Sequence, residues 1–115
     1  MSQETAMEKR RHTRKKFEKP IHIYQITGSI ANKAFFISGT PIVGRSKDLS
    51  VDGMQLQLPH NETLSKTLKL SFELERNQFL EVYSKQVWKD DHLCGLQFII
   101  WNDGLRQHLQ SYLAP

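Results

Sequence analysis

The sequence predicts an all-β domain, a small antiparallel barrel of five to seven short strands with one helix at its C-terminal end. Three observations carry this. Leu68, Leu70, Phe72 and Leu74 alternate with Lys69, Ser71, Glu73 and Glu75, the pattern of a strand with one dry and one wet face. Met54, Leu56 and Leu58 alternate in the same way with Gln55 and Gln57. From Trp101 onward the period changes. Leu105, Leu109, Tyr112 and Leu113 fall at i, i+4, i+7 and i+8, one face of a helix.

Taken in order, residues 1–8 are polar and expected to be disordered. A basic run, Lys9 to Lys16, follows, and Phe17 is the first residue expected to be buried. Pro20 suits the first position of a strand. Ile21, Ile23 and Gln25 would face one way, and His22, Tyr24 and Ile26 the other. Thr27 to Thr40 predicts a loop holding a short strand or hairpin at Ala34-Phe35-Phe36-Ile37. Pro41 to Leu49 is a strand, Met54 to Leu58 the next, and His60 to Ser65 a polar connection. Beyond the strongest strand come a turn at Arg76-Asn77-Gln78 and a strand from Phe79 to Trp88. A turn from Lys89 to His92 leads to the last strand, Leu93 to Trp101. Asn102 or Asp103 can cap the helix.

A chain of 115 residues makes one domain with one modest core. No apolar run reaches the roughly 18 residues that span a bilayer. The polar N-terminus lacks the apolar segment of a signal peptide. The single cysteine, Cys94, lies in an apolar stretch and reads as a small core residue. Together these point to the cytoplasm. The net charge of +4 is unevenly placed: residues 1–19 hold seven lysines and arginines against three acids, whereas residues 20–115 hold nine of each. The chain therefore divides into a flexible basic arm, 1–19, and a neutral barrel with its helix, 20–115. A basic arm on a neutral body implies an anionic partner.

Catalytic patterns are missing. The histidines at 12, 22, 60, 92 and 108 have no metal-ligand spacing. The sequence contains no H-E-x-x-H, C-x-x-C, phosphate-cradling glycine loop or G-x-S-x-G. No enzyme, metal or cofactor is expected.

Two stretches carry the candidate chemistry. Asp48-Leu49-Ser50-Val51-Asp52-Gly53 joins two strands, and Asp52-Gly53 matches a type I′ hairpin turn with positive φ at both residues. Asp48 and Ser50 fall on alternate positions, so an extended chain would present a carboxylate and a hydroxyl side by side. Two readings stand: the pair meets the edge of a planar base, or each group bonds its own backbone near the turn. The other stretch is the basic run, where Arg10 and Arg14 are four apart.

R-x-x-x-R upstream of a strand, followed by D-x-S-x-x-G at a strand junction, resembles the PilZ domain family. Val87-Trp88 and Gly95-Leu96-Gln97-Phe98 also resemble that family's closing strands, so the likeness runs from about Arg10 to the helix. The five motif positions, Arg10, Arg14, Asp48, Ser50 and Gly53, show no departure. The resemblance implies a six-stranded barrel that binds cyclic di-GMP, changes conformation and signals to an effector protein in motility, pili, biofilm formation or virulence. Arg10 and Arg14 would hold a guanine edge or phosphate. Asp48 would accept from a guanine edge, Ser50 would bond phosphate or base, and Gly53 would fix the turn. Lys9 holds the position that affects whether one nucleotide or a stacked pair is bound, and Arg11 adds charge beside it. Trp88 would stack on a base or pack in the core. Membrane insertion and DNA or RNA partners are not expected. Two alternatives remain: a PilZ-like adaptor that binds protein without nucleotide, and an oligonucleotide-binding barrel.

Overall fold

The alternation from Leu68 to Leu74 is the best guide to how the chain folds. In the computed structural model, which describes residues 14–60, 62–100 and 103–114, the four apolar residues of this stretch are buried and the intervening polar ones are partly exposed. The elements are β1 (Lys15–Lys16), β2 (Pro20–Ser29), β3 (Ala34–Ile37), β4 (Ile42–Leu49), β5 (Gly53–Gln57), β6 (Thr67–Glu75), β7 (Gln78–Asp90), β8 (Leu93–Ile100) and α1 (Asp103–Leu113).

Antiparallel pairing runs in the order β4-β5-β8-β7-β6-β2. It closes where Pro20 to Ile23 of β2 pair with Arg45 to Ile42 of β4, giving the expected six-stranded barrel. Closure leaves these six strands no open sheet edge. The second half of β2 turns back as a hairpin with β3, which accounts for the short strand expected within residues 27–40. β1 pairs with the far end of β4.

The lumen is filled by alternate residues of all six strands, among them Ile21, Ile23, Leu49, Leu56, Leu70 and Cys94. Burial pushes the Cys94 thiol up to about 11, consistent with a packed, unreactive residue. α1 closes one end with buried Leu109 and Leu113. Phe17, 3% exposed, packs edge-on against Phe72 and Tyr112 at ring distances of 5.8 and 6.0 Å.

Several boundaries shift by a residue or two from expectation, and two of the differences are larger. The β7–β8 ladder continues to Asp90 opposite Leu93, so the turn expected at Lys89 to His92 contains only Asp91 and His92, with Asp91 at φ 58°. The end of the basic arm is also built into the barrel. Ser46 Oγ donates to the Phe17 carbonyl and accepts from Lys19 N at 3.0 Å. Lys15 Nζ lies over the Tyr112 ring at 4.7 Å and donates to the Tyr112 carbonyl at 3.3 Å, a favourable place for a cation at a helix C-terminus. No helix among the described residues is long and apolar enough to cross a membrane.

Candidate functional site

Two β-bulges build the site. Along β4, Gly44 and Ser46 point into the barrel, so strict alternation would send Asp48 inward as well. A carboxylate there would be costly to desolvate. The ladder instead slips by one residue between Ser46, opposite Leu56, and Asp48, opposite Gln55. The extra residue is Lys47, which is exposed. Asp48 therefore comes to the outer wall, and Leu49 takes the core position. β7 does the same between Gln86, opposite Leu96, and Trp88, opposite Gly95. Here Val87 is the extra residue, and Val87 and Trp88 are 53% and 43% exposed in succession. Bulges re-aim side chains in this way.

The bulges bring four residues into one transverse row. Asp48 on β4 lies opposite Gln55 on β5, Gln55 opposite Gly95 on β8, and Gly95 opposite Trp88 on β7. Arg14 approaches from the start of β1 and donates from Nη1 to Asp48 Oδ1 at 3.0 Å. The same oxygen accepts from Gln55 N at 3.1 Å, so the second carboxylate oxygen takes part in neither bond. The side chains of Arg14 and Asp48 are 56% and 27% exposed, so the pair is a surface ion pair, the kind that contributes about 0–1 kcal/mol. Arg14, Asp48, Gln55, Val87, Trp88 and Gly95 line a hollow of about 160 Å³. That is below the roughly 300–1,000 Å³ of a drug-sized ligand pocket. It suits one planar group, with the rest of a larger ligand lying across the open surface. A larger hollow of about 380 Å³, on the outer face of β2 and β6, holds Lys19, His22, Tyr24 and Phe79 and none of the predicted site residues.

Ser50 and Gly53 are placed differently from Asp48. Ser50 lies past the end of β4 and is buried. Its hydroxyl accepts from Asp52 N and Gly53 N, both at 3.2 Å, and its own N–H donates to the Gly53 carbonyl at 2.9 Å. Asp48 and Ser50 thus do not share an open face, because the chain leaves the extended conformation at Leu49. The type I′ expectation is also corrected. Among the described residues only Lys33, Asn77, Asp91 and Gly28 have positive φ, so neither Asp52 nor Gly53 does. Gly53 is needed for another reason: a Cβ there would run into the Leu96 carbonyl of β8. Glycine lets β5 start against β8.

Lys9, Arg10 and Arg11 lie outside the described residues. Sequence reading took Gln55, Val87 and Gly95 only as strand residues and missed their place around the hollow. Gly95 did carry a signal, since an isolated glycine inside a strand marks a bulge or a close backbone approach. No group of three or more histidine, cysteine, aspartate or glutamate side chains among the described residues could hold a metal ion.

A closed six-stranded barrel, a basic segment on its wall and a small polar hollow between them describe a ligand-binding module. The PilZ domain family model matches residues 8–114, and the chain belongs to that family, known as a family of cyclic di-GMP receptors. The fold resembles the crystal structure of the PilZ domain of CeSA from a cellulose-synthesizing bacterium, with a TM-score of 0.63 and 14% identity over 88% of this chain and 94% of that one. No curated protein matches the chain in sequence.

Proposed function

We propose that this chain is a cyclic di-GMP receptor of the bacterial cytoplasm that passes the signal to a protein partner, in motility, pili, biofilm formation or virulence. The observation that carries the reading is the meeting of Arg14, Asp48 and Trp88 around one hollow, although they come from three distant stretches of sequence. Each suits a different part of the ligand. A guanidinium fork donates in pairs to guanine O6 and N7 or to phosphate. A carboxylate accepts from guanine N1–H and N2–H. An indole face stacks on a base. The hollow is small, so binding draws on the arm, where Arg10 supplies a second fork and Lys9 and Arg11 add charge. Ser50 and Gly53 act through the turn that fixes the end of β4 beside Asp48.

The Arg14–Asp48 pair supports a switch. It is weak enough for a ligand to replace, and its arginine is continuous with Lys15 on Tyr112 and Phe17 in the core. Drawing Arg14 onto a nucleotide would therefore act on the root of the arm and the end of α1. Calorimetric titration with cyclic di-GMP, GTP and a short single-stranded oligonucleotide tests the reading. Saturable binding of cyclic di-GMP alone is expected. Binding of none of them would favour a protein-binding adaptor, and preference for the oligonucleotide a nucleic-acid barrel.

A further inference from the structure

Gly95 is buried near the start of β8, directly opposite Trp88. Its φ is not positive, so no backbone conformation demands glycine there. What demands it is the indole. A Cβ at this position would lie 2.5 Å from Trp88 Cε2 and 2.7 Å from Cδ1, and closer still to Nε1 between them. Near-equal short distances to three consecutive ring atoms mean that the Gly95 Cα meets the face of the pyrrole ring. An edge-on approach to Nε1 would leave its two neighbours much further away. Trp88 therefore lies flat across the Gly95 backbone, in the row that ends at Asp48.

We propose that Gly95 is a positioning residue for nucleotide recognition. By leaving room for the indole to lie on β8, it holds Trp88 as a fixed wall of the hollow on which a base stacks, while Asp48 and Arg14 meet the edge of the same base. This rests on the reading of the site as a cyclic di-GMP receptor. The physical logic is preorganisation. A tryptophan on an exposed bulge has two side-chain torsions to order on binding, and packing one ring face onto a glycine settles them beforehand. Any side chain at 95 lifts the ring and leaves it to sample other rotamers.

The test is a double-mutant cycle read by calorimetry with cyclic di-GMP. Trp88→Ala should weaken binding about five- to 150-fold, the range for loss of a base–aromatic stack. Gly95→Ala should also weaken binding, but in the Trp88→Ala background it should add almost nothing, because Gly95 acts only through the ring. Losses that multiply overturn the assignment while leaving the receptor reading intact. No binding by the native chain overturns both. A second measurement needs no change at 95. In the ligand-free native protein, a Gly95 Hα resonance should be shifted upfield by the ring current, and Trp88→Ala should return it to an ordinary position. The upfield shift should persist when cyclic di-GMP binds. A Gly95 Hα without that shift, or one that loses it on binding, means that the ring does not rest on Gly95 in the state that matters, and the assignment falls.

Discussion

The barrel has a regular wall and an irregular one. On β6, buried and partly exposed residues alternate without a break from Thr67 to Leu74. On β4 and β7, one extra residue each, Lys47 and Val87, interrupts the alternation and turns Asp48 and Trp88 to the surface. The regular wall carries hydrophobic burial, and the side chains on its outer face form surface pairs such as Lys69 with Glu81. The irregular wall gathers a carboxylate, an indole and an arginine around one hollow. The proposed function thus divides this fold: stability where the period of two is kept, and recognition where it fails.

If that division is right, damage to the regular wall should cost stability and spare binding. Leu70 is fully buried on β6. Leu70→Ala should destabilise the domain by about 2–5 kcal/mol, through lost burial and the cavity left behind. Urea unfolding would measure the loss. Calorimetry well below the unfolding midpoint should find cyclic di-GMP affinity unchanged. A matching loss of affinity in the still-folded variant would mean that the two walls are not separable.

Damage to the irregular wall should show the reverse. Asp48→Ala removes a charged acceptor and should weaken binding by about 1.5–3 kcal/mol, roughly ten- to a hundred-fold. Its effect on folding should stay within about 2 kcal/mol, because its ion pair is exposed and the other loss is the one hydrogen bond it accepts from Gln55 N. The paired change Arg10→Lys with Arg14→Lys keeps the charge and removes the planar forks. It should bind poorly even at low salt. Near-native affinity in that variant would reduce the arm to a generic attractor of anions.

Much of this was legible in the sequence, and the physics says which parts. Alternation and the period change at the helix gave the succession of strands and the closing helix, but not the order of strands in the sheet, because burial of one face imposes only the period. The motif residues Arg14, Asp48 and Gly53 were named through their resemblance to the family's two motifs. The bulges were not, because an inserted residue such as Lys47 or Val87 looks like any other strand residue until its partner strand is known. The conformation of Gly53 was misread for a related reason. Asp-Gly suggests a turn conformation, but here the glycine answers to a carbonyl on a strand more than forty residues away.

Ser50 lies between the two kinds of region, and its replacement should have an intermediate effect. Its hydroxyl holds the N–H groups of Asp52 and Gly53 from a buried position. Ser50→Ala should cost about 1–3 kcal/mol of stability, the penalty for taking the hydroxyl acceptor away from the buried Gly53 N–H. Its loss of affinity should be smaller than that of Asp48→Ala, since the hydroxyl acts through the turn. Thermal unfolding and calorimetry on the same variant decide this. A large loss of affinity with unchanged stability would mean that the hydroxyl leaves the turn to meet the ligand.

The smallest effect is the most discriminating, because it compares like with like across the two walls. Lys69 Nζ lies 3.3 Å from Glu81 Oε2 on the regular wall, and Arg14 Nη1 lies 3.0 Å from Asp48 Oδ1 on the irregular one. Both are surface pairs, so double-mutant cycles on stability in the ligand-free protein should give about 0.2–1 kcal/mol for each, reduced by added salt. Saturating cyclic di-GMP should separate them. If the nucleotide takes the Arg14 fork, the Arg14–Asp48 coupling should vanish or be replaced by coupling through the ligand, while the Lys69–Glu81 coupling stays as it was. The weakness of the first pair matters to the proposed switch, because whatever it contributes to the ligand-free state is subtracted from the affinity of the bound one. A ligand-free coupling above about 2 kcal/mol, outside the range for exposed pairs, would make Arg14–Asp48 a structural clasp. The arginine would then be held where it is, and recognition would have to rest on the rest of the arm.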